Sequence, residues 1–319
     1  TSFLISLNDS EPFLNINIDA NKADLALFNY SDGYQNKNSS WSKELILFPN
    51  FENMDFNLTS KFKHLKYHEL AVKDTIFNLS VKNNILKLEE VSGKIDEGSF
   101  KIDGNFIMDG LPQLILTYNF ERFNIGNFLA FFFNIDNINA LSNVAGNLQT
   151  YGNTPHIMIK QIKSKNKYYV ANLTVDKLAI PKIIQDVADM SVDPKSKFNQ
   201  PLSEEIRLGS TNFNSTNGEL NIVNGIVLIN NIKLSMPGLE AATAGKIDLV
   251  NKLIKINSII KFVAQYQSRK GIEKTALTLT HSLEGDFDKV TGKYDLFQIN
   301  SFINNLKSLY MKVYNRLDK

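Results

Sequence analysis

The sequence predicts a mainly β protein: an elongated, curved antiparallel sheet, shaped as a groove or taco, with a few short helices including an amphipathic one at the C-terminus. Three observations predict it. Apolar residues recur at every second position over many short stretches. Compact turn-forming clusters separate those stretches. The strands do not alternate with long helices, as a parallel α/β sheet would require.

Taken in chain order, residues 1–40 read as a leading β segment followed by a polar linker, Ser31 to Ser40, and residues 41–319 as the main β region. Phe77, Leu79 and Val81 alternate up to Asn83-Asn84, and Leu86 and Leu88 resume the rhythm beyond it. Phe100, Ile102, Gly104, Phe106 and Met108 fall on one face, with Lys101, Asp103 and Asn105 on the other. After a turn at Gly110-Leu111-Pro112, Leu114, Leu116, Tyr118 and Phe120 repeat the pattern. Later, Leu220 and Ile222 lead into Asn224-Gly225, then Ile226 and Leu228, then Ile232 and Leu234. Asn-Gly between two alternating runs signals a hairpin, because both residues tolerate the positive φ of a tight two-residue turn.

Three stretches carry helical spacing instead. One runs from Ile125 to about Phe133; another begins at Pro181 and sets Ile180, Ile183, Ile184 and Val187 on one side; the last places Phe302, Leu306, Leu309, Val313 and Leu317 in a stripe, away from Lys307, Lys312 and Arg316. Ser191 to Glu205, with Pro194 and Pro201, reads as a loop. The terminal stripe fits either a cap on one end of the sheet or a helix lying in a membrane interface.

A sandwich, a closed barrel and an open curved sheet all satisfy this pattern; the many meander strands favour the long curved sheet, whose apolar face needs a cover. The candidate lining residues are Phe100, Ile102, Phe106, Leu114, Leu116, Ile222, Ile226, Leu228 and Leu234. A dry core and an open trough demand the same alternation, so both readings stand at this point.

Composition narrows the function classes. Of 319 residues, 43% are hydrophobic and 21% charged, which fits a folded chain rather than a disordered one. The 35 basic and 33 acidic residues leave a net charge of +2, without the basic field that nucleic-acid binding requires. There is no cysteine, which excludes disulfides, thiolate catalysis and cysteine metal sites. His64 and His68 are the only close pair among His64, His68, His156 and His281. On a strand, a four-residue gap separates side chains by about 13 Å, so no metal site is expected there. No phosphate-cradling glycine loop, nucleophile elbow or HExxH zinc motif occurs, and no cofactor is expected. Glu89-Glu90 and Glu204-Glu205 are adjacent in sequence and read as solvated surface. The longest apolar run, Phe128 to Phe133, is far short of the roughly 20 residues that span a bilayer. The chain opens on Thr1 without a leader-like stretch, and the expectation is a piece of a longer protein whose anchoring segment lies upstream.

A set of ordered motifs resembles the AsmA family. Thr211-Asn212-Phe213, then Gly218-Glu219-Leu220-Asn221-Ile222-Val223-Asn224-Gly225-Ile226, is similar to the family pattern TPF…GxxxIxNGV. Ile232-Lys233-Leu234-Ser235-Met236-Pro237 resembles its LxLxxP strand, and Gly245-Lys246-Ile247-Asp248-Leu249 its GxI/VDL turn. Upstream, Trp41-Ser42, Leu86-Lys87-Leu88 and Gly98-Ser99-Phe100 with Gly104 resemble the family's opening W-S and its glycine-punctuated strands. Ile125-Gly126 and Leu141 to Gly146 with Gly152 follow later segments, and the resemblance extends from Trp41 to about Phe302. Departures are Asn83-Asn84 for the usual Asp-Gly, Glu97-Gly98 for a glycine pair, and Asn212 for proline.

The resemblance implies a non-enzymatic, periplasmic protein of a Gram-negative envelope, anchored in the inner membrane by an N-terminal helix. Its expected partners are phospholipid and membrane, and its expected role is moving phospholipid to the outer membrane and keeping that membrane intact. An alternative is an assembly factor for outer-membrane proteins that acts through exposed strand edges. Lipid suits the pattern physically. Each exposed methylene costs about 0.8 kcal/mol in water, so a tail of about sixteen carbons faces on the order of 10 kcal/mol, which an apolar trough removes.

Overall fold

The computed structural model describes residues 2–8, 11–24, 40–46, 55–67, 70–133, 135–192, 204, 207–268, 271–287, 289–294 and 296–317. The linker at 31–39, His68 and the loop at 193–203 fall outside them.

One sheet holds every strand among the described residues. Its strands are β1 (Ser2–Asn8), β2 (Glu11–Asp24), β3 (Asp55–Tyr67), β4 (Leu70–Lys82), β5 (Ile85–Ile95), β6 (Gly98–Ile107), β7 (Gln113–Asn124), β8 (Ile138–Tyr151) and β9 (Lys163–Asp176). They continue with β10 (Ser210–Phe213), β11 (Thr216–Val223), β12 (Ile226–Met236), β13 (Leu239–Asp248), β14 (Leu253–Ser268), β15 (Gly271–Asp286) and β16 (Val290–Tyr294). The helices are α1 (Ile125–Phe133), α2 (Pro155–Gln161), α3 (Ile180–Val192) and α4 (Leu296–Leu317). Strands follow one another across the sheet in chain order, except that β10 hooks onto the end of β9 beside β11. The expected mainly β, curved antiparallel sheet is what forms.

One pairing departs from antiparallel. β2 runs parallel to β3, with Ile16 opposite Leu58. The leading strands therefore belong to the same sheet as the rest, and the two-residue alternation could not reveal their direction, since both pairings use the same period.

The turns form for the reasons their residues suggest. Asn83 and Asn84 take φ of 50° and 59°, so a pair of asparagines closes the β4–β5 hairpin where the family pattern has Asp-Gly. Asn224 and Gly225 do the same between β11 and β12, at 52° and 73°. Four more left-handed residues, Asp74, Arg122, Asn172 and Asn231, sit where a strand carries an extra residue relative to its neighbour. Such bulges bend a strand and increase its twist, and they supply the curvature of the sheet.

The helices cover particular places. α1 and α3 match the expected helices, α3 opening at Ile180. The sequence reading missed α2; its signal is Thr154-Pro155, where the Thr154 hydroxyl accepts from the Ile157 N–H and proline holds the first turn. α3 and α4 pack together on the inner face of the C-terminal strands. Ile180, Ile183 and Val187 of α3 meet Phe302, Ile303 and Leu306 of α4 over Leu239, Ala241, Ile260 and Leu279. The terminal stripe is thus spent inside the protein, as a cap rather than as a membrane-facing surface. The side chains of Val313 and Leu317, the end of the predicted stripe, fall outside the described residues.

Candidate functional site

Strand register identifies the surface of interest. One row crosses the sheet from Ile16 through Leu58, Leu79, Leu88, Gly104, Leu116 and Leu148 to Ser164, each residue opposite the next. It continues through Ile222, Val227 and Ile247 to Ile254. Alternation places the rows on either side of it on the same face, including Phe77, Val91, Ile102 and Tyr118 on one side and Val81, Leu86, Phe106 and Leu114 on the other. This is the apolar face that the sequence predicts, and its apolar row is unbroken by polar side chains from β2 to β8.

The face changes character along its length. From β2 to β8 its side chains are mostly half-buried: Leu58, Phe77, Leu88, Phe100, Phe106, Leu116 and Leu148 all keep part of their surface open. Deeper spots occur at Ser60, Leu65, Val72, Thr75 and Val81. All described strands belong to one sheet, so no second sheet covers this stretch among the described residues, and α1 and α2 rest on β8. Aromatic rings pave part of it. Phe100 stacks on Phe120 at 5.9 Å, Phe120 meets Tyr118 at 6.0 Å and Phe123 at 5.6 Å, and Phe62 meets Phe77 edge-on at 6.1 Å.

From β12 onward the same face is closed. Val227, Ile229, Leu239, Ala241, Ile254, Ile260 and Leu279 are buried. α3 and α4 cover one end of these strands. At the other end, Ile135 and Leu129, with Ile138, pack against Ile254, Phe287, Ile247 and Leu283. The dry-core reading therefore holds for the C-terminal strands, and the open reading for β2 to β8.

Between the two lies a polar crossing on β9. Three successive inward residues there are polar: Ser164, Asn166 and Tyr168, opposite Leu148, Gly146 and Val144. Ser164 and Asn166 are only 4% and 6% exposed. Asn166 donates its amide to the Leu220 carbonyl at 2.9 Å and accepts the Tyr118 hydroxyl through its Oδ1. Ser164 donates to the Asn147 carbonyl and lies 3.1 Å from the Tyr118 hydroxyl. Gly146 leaves room for this, since a Cβ there would overlap Asn166 Oδ1. Burial pushes the Tyr168 hydroxyl above its ordinary pKa. Sequence reasoning missed this group, although Ser-x-Asn-x-Tyr at the inward positions of a strand is a visible break in an apolar register.

The candidate lining residues divide. Phe100, Ile102, Phe106, Leu114 and Leu116 form adjacent rungs of β6 and β7 on the half-open part of the face. Ile222 shares that face, beyond the β9 crossing. Leu234 shares it too but packs into the closed C-terminal core. Ile226 and Leu228 do not belong with them, because they lie opposite Asp248 and Lys246 on the other face. There are two reasons: the Asn224-Gly225 turn pairs Ile222 with Val227 and Val223 with Ile226, and the bulge at Asn230-Asn231, where Asn231 takes φ of 55°, shifts the parity of β12 between Ile229 and Ile232. Alternation counted through that point puts residues before and after it on one face, which the chain does not do.

The remaining polar features are structural. Thr211, fully buried, donates its hydroxyl to the Leu178 carbonyl and accepts from the Ile180 N–H, pinning the start of α3. The Trp41 indole N–H donates to the Leu249 carbonyl at 2.6 Å, and the Lys252 ammonium lies 4.8 Å from its ring. The opening W-S segment and the GxI/VDL turn, far apart in sequence, meet there. Lys94 holds the exposed Asp74 carboxyl below its ordinary pKa through a 2.8 Å hydrogen bond and its charge. His64 is exposed, and no group of three His, Asp or Glu capable of holding a metal occurs among the described residues. No helix is long and apolar enough to cross a membrane among them.

Comparison with curated proteins gives no match, and neither does comparison with solved structures. The AsmA family model matches residues 20–232, which takes in Trp41, the Thr211 hallmark and the Asn224-Gly225 hairpin and stops at Ile232, short of the expected limit near Phe302. That match covers two thirds of the chain, so this protein is a member of the AsmA family.

Proposed function

We propose that this segment holds phospholipid acyl chains against the inner face of β2 to β8, as a non-enzymatic part of lipid passage between the inner and outer membranes of a bacterial envelope. One observation carries the reading. The row from Ile16 to Leu148 is apolar apart from one glycine, runs across consecutive strands, and remains half-open along its length. Strands lie about 4.8 Å apart, so the path from β2 to β8 is about 29 Å long. The tails of one bilayer leaflet span about 15 Å, half of the hydrocarbon core, so an extended tail fits within it. Headgroups stay in water while the methylenes are shielded, and no bond is made or broken. In this reading the protein works in the periplasm, tethered to the inner membrane by a segment outside this chain.

The test is native mass spectrometry of the chain purified without detergent, with solvent extraction of bound lipid. Phospholipid is expected at a stoichiometry near one or two per chain. A chain that is consistently lipid-free, and stays so after incubation with phospholipid vesicles, overturns the proposal.

A further inference from the structure

We infer that the lipid path is blind: acyl chains lie only between β2 and β8, stop at β9, and do not pass on to β16. The inference rests on the lipid reading above and adds where the path ends. Two independent observations support it.

The first is the polar crossing itself. At β9 three successive inward positions are polar, so the rows through Leu148, Gly146 and Val144 meet no aliphatic side chain there, and the next inward residue, Val170, is itself only 9% exposed opposite Ser142. Ser164 and Asn166 are small side chains and yet 4% and 6% exposed, which means that neighbours already fill the space above them. Tyr118 supplies part of that filling, with its hydroxyl bound to Asn166. The hydrogen-bonding capacity of the group is used internally, on the Asn147 and Leu220 carbonyls. Ser164 and Asn166 therefore offer a lipid neither apolar surface nor free donors, and act as a stop rather than as a headgroup site.

The second is what lies beyond. The apolar face resumes at Leu220 and Ile222, but further on its space is occupied by the protein's own side chains. Leu239 and Leu306 are 2% and 0% exposed, values of a packed interior. For a tail to enter, α3 and α4 would have to leave that interior. Traffic along the sheet is thus confined to the β2 side of β9.

The experiment uses the unmodified chain and vesicles of phosphatidylethanolamine and phosphatidylglycerol in which a fraction of the lipid carries a diazirine midway along one tail. After irradiation, adducts are mapped to peptides by mass spectrometry. Adducts are expected in peptides covering residues 55–67 and 70–124, with at least a tenfold lower yield across residues 226–262. Comparable yields in the two regions overturn the blind path while leaving the lipid reading intact. An absence of adducts throughout overturns the lipid reading, and the blind path with it.

Discussion

Tyr118 on β7 reaches across Gly146 on β8 and gives its hydroxyl hydrogen to Asn166 on β9, joining strands that are not neighbours. The contact exists because the intervening residue has no side chain. Replacing Tyr118 with Phe removes one buried hydrogen bond and is expected to cost about 1 kcal/mol. Asn166→Leu removes the bonds to both the Tyr118 hydroxyl and the Leu220 carbonyl, leaving Ser164 as the hydroxyl's neighbour, and is expected to cost about 2–4 kcal/mol. Urea denaturation of the two variants measures the difference; equal losses would deny the bridging role of Asn166.

The two halves of the inner face should respond differently to truncation. Leu306→Ala empties a site that is 0% exposed, at an expected cost of about 2–5 kcal/mol. Leu116→Ala, half-exposed, removes less shielded surface and is expected to cost about 1–2 kcal/mol. Denaturation midpoints in lipid-free buffer rank them, and a larger loss at Leu116 would mean that the β7 face is packed like the C-terminal core.

Thr75 is 1% exposed and its hydroxyl has no hydrogen-bond partner among the described residues. Valine has nearly the same shape and no polar atom to desolvate. Thr75→Val is expected to stabilise the chain by about 1 kcal/mol, read as a higher thermal midpoint. A destabilised variant would show that the hydroxyl is satisfied in solution.

The alternation of Phe100 to Phe106 and Leu114 to Phe120 made the central hairpin and its inward face legible, and Asn83-Asn84 and Asn224-Gly225 marked their turns. What failed has identifiable causes. Ile226 and Leu228 lie on the other face from Ile222 because the two-residue turn pairs Ile226 with Val223, and on the other face from Leu234 because a bulge at Asn230-Asn231 resets the period, which a count of alternate residues does not register. The closure of the C-terminal strands was not legible, since Leu234 follows the same rhythm whether a helix or a lipid covers it. The direction of β2 depends on a crossover that periodicity does not describe.

His281 lies on the inner face of β15, where burial pushes its imidazole below the ordinary value. The folded state therefore holds fewer protons than the unfolded chain once pH falls below about 6.5. Stability is complete above that pH and is lost as pH falls through the depressed folded value. A series of thermal melts between pH 7.5 and 5 is expected to show a decline that His281→Asn reduces. An identical decline in the variant would assign the effect to other groups.

The central claim is that one face of the sheet, and not the other, meets hydrocarbon. Leu116→Asp puts a carboxylate on the half-open face, whereas Ile115→Asp, at the neighbouring position of β7, puts one on the opposite face, between Asn105 and Gln149. Binding of a phospholipid with a fluorescent tail, measured on both variants after circular dichroism has verified their strand content, is the direct comparison. Leu116→Asp is expected to weaken binding at least tenfold and Ile115→Asp to leave it within about twofold, since a desolvated charge costs several kcal/mol only where the tail lies. Equal effects of the two substitutions, or undiminished binding by Leu116→Asp, would contradict the account.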